Sequence, residues 1–239
     1  MKIALLGYGR MGKEIETIAK ERNHEIVLII DIDNTHELTV ENLRKADVAI
    51  DFSTPSSAFS NILKCFSADV PVVCGTTGWL NRYNEVVDIC KRENKSFFYT
   101  SNYSIGVNIF FTINRKLARL MNQFPEYEVS IEETHHIHKL DAPSGTAITI
   151  ADHIIGELDR KKKWVSEKKT NNDSLKIKSI REGEVPGIHI VTYDSPVDSI
   201  ELKHSAKSRK GLALGAMLAA EYIYKKTGVF TMSDLMKVE

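Results

Sequence analysis

The chain has 239 residues, enough for one large domain or two modest ones. Hydrophobic residues make up 42% and charged residues 27%, a globular balance that excludes wholesale disorder. Lys plus Arg and Asp plus Glu each number 32, so the net charge is zero and the basic excess expected of a nucleic-acid binder is missing.

Lys2 to Leu6 is a short apolar run that ends in Gly-Tyr-Gly-Arg-Met-Gly. Residues 11–22 then show helical spacing through Ile15, Ile18 and Ala19. Further apolar runs lie at 26–30, 47–52, 70–74 and 97–99, with helical patterns at about 39–45, 56–66 and 80–93. Continuous β-branched runs alternating with helices predict parallel strands buried on both faces. Ser53-Thr54-Pro55 reads as a helix start, because Pro suits the first turn. After residue 104 the rhythm changes. A long amphipathic helix is predicted over 106–122 and a half-exposed alternating strand over 127–133. A helix over 144–162, a polar surface loop over 160–174, and strands at 175–181, 187–193 and 198–204 follow. Residues 211–225 form a richly apolar helix, with Gly228 as its stop. Cys65, Cys74 and Cys90 form no CxxC pair, which fits a reducing cytosol, and no apolar run nears the roughly 18 residues of a membrane span.

Gly7-x-Gly9-x-x-Gly12 follows a predicted strand and opens a predicted helix, the setting in which such a loop cradles a dinucleotide pyrophosphate. Asp31 closes the second strand, 19 positions after Gly12, near the ~20 expected of a carboxylate that binds ribose hydroxyls. A carboxylate there repels a 2′-phosphate, and the following residue is Ile32, so the pattern leans toward NADH over NADPH. Small polar loops also close the later strands: Asp51-Phe52-Ser53-Thr54-Pro55, Gly75-Thr76-Thr77-Gly78 and Ser101-Asn102-Tyr103.

Three of the eight histidines fall within His135–His138, beside Lys139, and Ser144-Gly145-Thr146 opens a helix. On a strand His136 and His138 would share a face. Three readings stand: a metal site, a structural histidine cluster, or an anion site with a proton donor. In the third, Lys139 and the N–H groups of Ser144, Gly145 and Thr146 hold a carboxylate while a histidine passes a proton. Arg181, Gly183, Gly187 and His189 sit at a predicted turn between strands, whose plain reading is a hairpin with a surface arginine.

Six segments occurring in order resemble the dihydrodipicolinate reductase (4-hydroxy-tetrahydrodipicolinate reductase) family: GYGRMG at 7–12, DFSTP at 51–55, GTTGW at 75–79, SNYSIGVN at 101–108, HHIHKLDAPSGTA at 135–147 and REGEVPGIH at 181–189. The resemblance implies an α/β fold with a Rossmann-like dinucleotide-binding lobe (1–105 and 209–239) and a mixed α+β sheet lobe (106–208) for substrate binding and tetramer formation. It implies NAD(P)H-dependent reduction of a cyclic dicarboxylate in the diaminopimelate and lysine pathway, by a cytoplasmic homotetramer without a metal. His135 would be the acid, assisted by Lys139. His136, Lys139, Ser144, Gly145 and Thr146 would hold the substrate. The cofactor would meet Gly7, Tyr8, Gly9, Arg10, Met11, Gly12, Asp31, Phe52, Ser53, Gly75, Thr76, Thr77, Ser101, Asn102 and Tyr103. A different dehydrogenase of Rossmann type and a non-catalytic NAD-binding regulator are the rival functions; neither needs the histidine-rich block.

Overall fold

The computed structural model describes residues 1–166 and 171–237. They fall into two compact units, one made of Met1–Ile105 with the chain from Arg209 onward, the other of Gly106–Ser208.

The first unit opens with β1 (Lys2–Leu6), α1 (Arg10–Glu21), β2 (Glu25–Ile30), a 3-10 segment (Ile32–Glu37), α2 (Val40–Leu43), β3 (Val48–Asp51), α3 (Pro55–Ser67), β4 (Val72–Cys74), α4 (Tyr83–Arg92) and β5 (Ser96–Tyr99). The second unit follows with α5 (Ile105–Met121), β6 (Glu128–His135), α6 (Gly145–Glu157), β7 (Lys163–Val165), β8 (Ser174–Arg181), β9 (Ile188–Asp194) and β10 (Ser199–Ser205). The chain then returns to the first unit as α7 (Lys210–Ile223), β11 (Gly228–Phe230) and α8 (Met232–Met236).

The first sheet has the order β11-β5-β4-β3-β1-β2, with every pairing parallel. Successive residues of β1 bury opposite ways: Ala4 and Leu6 join a core with α3 and α4, while Ile3 and Leu5 join one with α1 and α7. Burial on both faces explains the unbroken apolar runs. β1 feeds β2 on one side and β3 lies on the other, so the sheet reverses direction between β1 and β3, the place where an open α/β sheet receives its ligand. Helix α7 packs tightly because it is built of small residues: a Cβ on Gly215 would stand 1.7 Å from the Tyr103 carbonyl oxygen.

The second sheet has the order β10-β9-β6-β8-β7, with β6 antiparallel to β9 and parallel to β8. Val129 and Ile131 of β6 face a core with α5 and α6.

Five expectations are corrected. The helix predicted over 144–162 ends at Glu157, because Leu158 turns extended and carries Lys161 inward. The buried Lys161 ammonium pairs with Glu128 and donates to the carbonyls of Asn172 and Ser174, so β7 forms where composition suggested a loop. Residues 167–170 of that predicted loop lie outside the described residues. Gly228 does not stop α7, which ends by Tyr224; Gly228 begins β11, which pairs with β5. Strands β8 and β9 are not a hairpin, since β6 lies between them and residues 182–187 cross over its end. The strand carrying the histidines stops at His135, leaving His136 and His138 on a turn.

Candidate active site

In the first unit the loops after β1, β3 and β4 meet at the carboxyl edge of the sheet. Gly7 has φ +92°, and a Cβ there would lie 2.3 Å from the Phe52 carbonyl oxygen, so only glycine fits. A Cβ on Gly12 would lie 2.4 Å from the Gly7 carbonyl, which lets α1 start hard against the loop. Gly9, by contrast, faces open space, and the first turn of α1 carries no acidic residue. This combination fits a pyrophosphate: backbone N–H donors, a helix N-terminus, and no side chain in the way. Arg10 is exposed, while Tyr8 and Met11 are half-buried, with the Tyr8 hydroxyl bound to Glu16. Asp31 is exposed just beyond β2, its N–H donating to Asn34 Oδ1 at 2.7 Å.

The spacing signals missed the group that joins the loops after β3 and β4. Asp51 is fully buried at the end of β3. Its Oδ1 accepts from the hydroxyls of Thr76 (2.5 Å) and Ser53 (2.8 Å), and its Oδ2 from the Asn61 amide (2.8 Å). Thr76 Oγ1 also accepts from the Ser53 N–H at 2.9 Å. Burial pushes the Asp51 carboxyl up, and these neutral donors pull it back only in part. Gly75 lies against the Phe52 ring, and Thr77 is exposed. Ser101 is exposed and Asn102 half-buried, whereas Tyr103 is a core residue. The Tyr103 hydroxyl donates to the Cys74 carbonyl at 2.7 Å and its ring packs on Phe52 and Phe98. The Tyr103 side chain packs the loop from beneath, so a cofactor would meet this residue through its backbone.

In the second unit strand alternation extends the buried face of β6 from Val129 and Ile131 to Glu133 and His135. Sheet register then sets Glu133 opposite His189 of β9 and His135 opposite Arg181 of β8. A carboxylate and two imidazoles therefore meet at the end of an apolar core. His135 Nδ1 lies 2.5 Å from Glu133 Oε2, and Arg181 Nη2 lies 3.0 Å from Oε1. The Ser144 N–H donates to that same Oε1 at 3.1 Å. Burial alone would raise the Glu133 carboxyl, but the polar contacts of His135, Ser179, Arg181 and Ser144 outweigh it and hold Glu133 well below the usual carboxylate range. His189 packs edge-on against His135, with ring centroids 5.1 Å apart, and burial with the neighbouring His135 lowers it to about 4.

Arg181 is no surface arginine. Besides Glu133 it donates to the carbonyls of Lys139 (3.2 Å) and Asp141 (2.5 Å), strapping the loop after His135 to β8. Lys139 Nζ rests on Asp141 Oδ1 at 2.7 Å. His136 is half-buried, while His138 is exposed and pairs with Glu184. Ser144 is buried, caps α6 by accepting from the Ala147 N–H, and places its hydroxyl 3.2 Å from His189 Nε2. With the Ser144 N–H turned inward, the outward part of this terminus begins at the exposed Gly145, followed by the half-buried Thr146.

Ligand atoms of Glu133, His135 and His189 lie within 4.8 Å of one another. These three groups disfavour a metal ion, because a cation on Glu133 Oε2 would sit beside the Arg181 guanidinium already on Oε1. They fit proton transfer.

A doubly wound parallel sheet with an open phosphate loop, in a chain whose second unit carries a buried acid–imidazole pair, defines a dinucleotide-dependent oxidoreductase. Similarity narrows the class. Residues 1–103 match the family model described as dihydrodipicolinate reductase, N-terminus, and residues 106–236 its C-terminal counterpart. The 4-hydroxy-tetrahydrodipicolinate reductase of Christiangramia forsetii is 52% identical, with 99% of this chain and 98% of the relative covered. That of Caldanaerobacter subterraneus subsp. tengcongensis is 33% identical over 96% and 95%. The dipicolinate-bound dihydrodipicolinate reductase from Paenisporosarcina sp. TG-14 shares the fold at TM-score 0.77 and 24% identity, covering 97% of each chain. The chain belongs to the dihydrodipicolinate reductase family.

Proposed function

We propose that the chain catalyses NAD(P)H-dependent reduction of 4-hydroxy-tetrahydrodipicolinate (or dihydrodipicolinate) to tetrahydrodipicolinate in diaminopimelate and lysine synthesis. Besides the 52% identity to the Christiangramia forsetii reductase, the observation that carries the reading is His135, held by a buried carboxylate at the head of the Lys139–Thr146 segment. The first unit is the dinucleotide-binding domain, with Gly7–Gly12, Asp31, Phe52, Ser53, Gly75–Thr77, Ser101 and Asn102 around the cofactor. When bound, the cofactor supplies a hydride to an electron-poor ring carbon. In the second unit, the substrate domain, Lys139 balances a substrate carboxylate, and His136, Gly145 and Thr146 donate to the carboxylates and fix the ring. His135 then gives a proton to the atom next to the reduced carbon. Orientation of this kind supplies much of the rate, and a general acid adds ~10²–10⁴-fold.

The exposed Asp31, followed by an Ile32 that is 79% exposed, supports a preference for NADH. Equal or higher kcat/KM with NADPH would overturn that preference. Three free, buried cysteines support a reducing, cytoplasmic setting, and among the described residues no helix is long and apolar enough to cross a membrane. The second unit would also build a homotetramer with a small-molecule substrate as its other partner; light scattering that gives one or two chains rejects this.

The deciding assay supplies the condensation product of pyruvate and aspartate semialdehyde and follows loss of NADH absorbance. Turnover is expected in the wild type. His135→Gln is expected to lower kcat by about 10²–10⁴ with the fold intact, and Lys139→Ala to raise substrate KM as well. No turnover with this substrate, or near-normal rates in both variants, rejects the assignment.

A further inference from the structure

The family resemblance and the motif spacing give no role to Glu133, yet among the described residues no other carboxylate of the second unit is so deeply enclosed. It is 0% exposed, one oxygen is committed to Arg181 and to the Ser144 N–H, and the other faces His135 Nδ1. We propose that Glu133 is the positioning residue of the proton donor: its carboxylate holds the Nδ1–H of His135, so that Nε2 is the nitrogen that gives up its proton. This rests on the reading of His135 as the acid.

Three features carry it. The first is which bond breaks. When the imidazolium releases its Nε2 proton to the substrate atom, the Nε2–H bond breaks, the new bond to that atom forms, and the remaining proton sits on Nδ1. That is the tautomer a carboxylate at Nδ1 stabilises. The second is access to Nε2. Gly187, on the crossover between β8 and β9, lies beside it, and a Cβ there would stand 3.1 Å from Nε2. The lack of a side chain at Gly187 keeps this nitrogen uncovered. The third is the identity of the charged ring. His189 stands only 5.1 Å away, but burial favours its neutral form, so it does not compete with His135 for the Glu133 charge. Arg181 and the start of α6 keep the carboxylate ionised and fixed. A position two residues before the acid on the same strand face thereby becomes part of its machinery.

The test is a double-mutant cycle in the reductase assay with ¹⁵N NMR of His135. Glu133→Gln keeps the shape and removes the charge. It is expected to lower kcat at least about tenfold while leaving KM for NADH unchanged, and Glu133→Asp to recover part of the loss. In the His135→Gln background, adding Glu133→Gln is expected to cost no further kcat, because the group it acts through is gone. Losses that multiply in the double variant, or a Glu133→Gln enzyme with full kcat, overturn the proposal. NMR separates its failure from failure of the acid assignment. In the wild type, neutral His135 should carry its proton on Nδ1, and in Glu133→Gln the Nε2-protonated tautomer should appear. Normal kcat in His135→Gln, together with an Nδ1–H signal from His135 in the wild-type protein, would reject the acid and leave the Glu133 contact standing. A wild-type ring protonated on Nε2 rejects the Glu133 role even if the variants fail to fold.

Discussion

Asp51 and Glu133 are both fully buried carboxylates at or near the carboxyl end of a strand, one in each unit, and their surroundings are opposite. Asp51 is held by two hydroxyls and an amide. Glu133 is held by a guanidinium, an imidazole and one backbone N–H. Neutral donors tie the loops after β3 and β4 to α3 without adding positive charge, which leaves backbone N–H groups and a helix terminus to receive phosphates. Cationic partners instead keep a full negative charge beside the group that has to move a proton. The same side-chain chemistry thus serves as a brace in one unit and as an electrostatic tool in the other.

The largest expected effect comes from removing the cation. Arg181→Met leaves the buried Glu133 charge half-paired and releases the carbonyls of Lys139 and Asp141. Breaking such a pair costs roughly 3–5 kcal/mol, and here the low end applies because the arginine side chain is 20% exposed. Urea unfolding measures it; a loss under about 1 kcal/mol would mean that Glu133 does not depend on a cationic partner. Next comes Asp51→Asn, which offers one acceptor and two unwanted donors to a shell of donors. The expected loss is about 1–3 kcal/mol, with a raised KM for NADH and little change in kcat at saturation. An unchanged KM would show that the brace does not shape the cofactor loops.

Much of the first unit is legible in the sequence because its signals are local. The Gly7–Gly12 loop and the Pro55 helix start each depend on neighbours within a few residues. The errors have distant causes. Lys161 ends the α6 region early because its partner, Glu128, lies 33 residues back. Gly228 begins a strand because β5 offers it an edge. Arg181 looks like a hairpin arginine until β6 is found between β8 and β9. Glu133 carried one usable signal: it shares the strand face of Val129, Ile131 and His135, so a carboxylate was already assigned to the core side, where it requires donors. Which donors answer it is decided by sheet register, and no local pattern encodes that.

The smallest effect is the sharpest test of the contrast, because the two carboxylates should respond to pH with opposite signs. Asp51 is raised in the fold above its ordinary value of 3.8, so its contribution is fully present below that value and is lost as pH rises through the folded one. Glu133 is lowered from 4.5, so its contribution is present above that value and is lost as pH falls toward the folded one. Each slope is bounded by about 1.4 kcal/mol per pH unit, the limit for one proton. Urea midpoints from pH 4 to 7 for wild type, Asp51→Asn and Glu133→Gln measure the difference. The deficit of Asp51→Asn should shrink as pH rises, and that of Glu133→Gln should grow. Deficits that move together would mean that both carboxylates are answered by the same kind of partner, and the division between a neutral brace and a charged tool would fail.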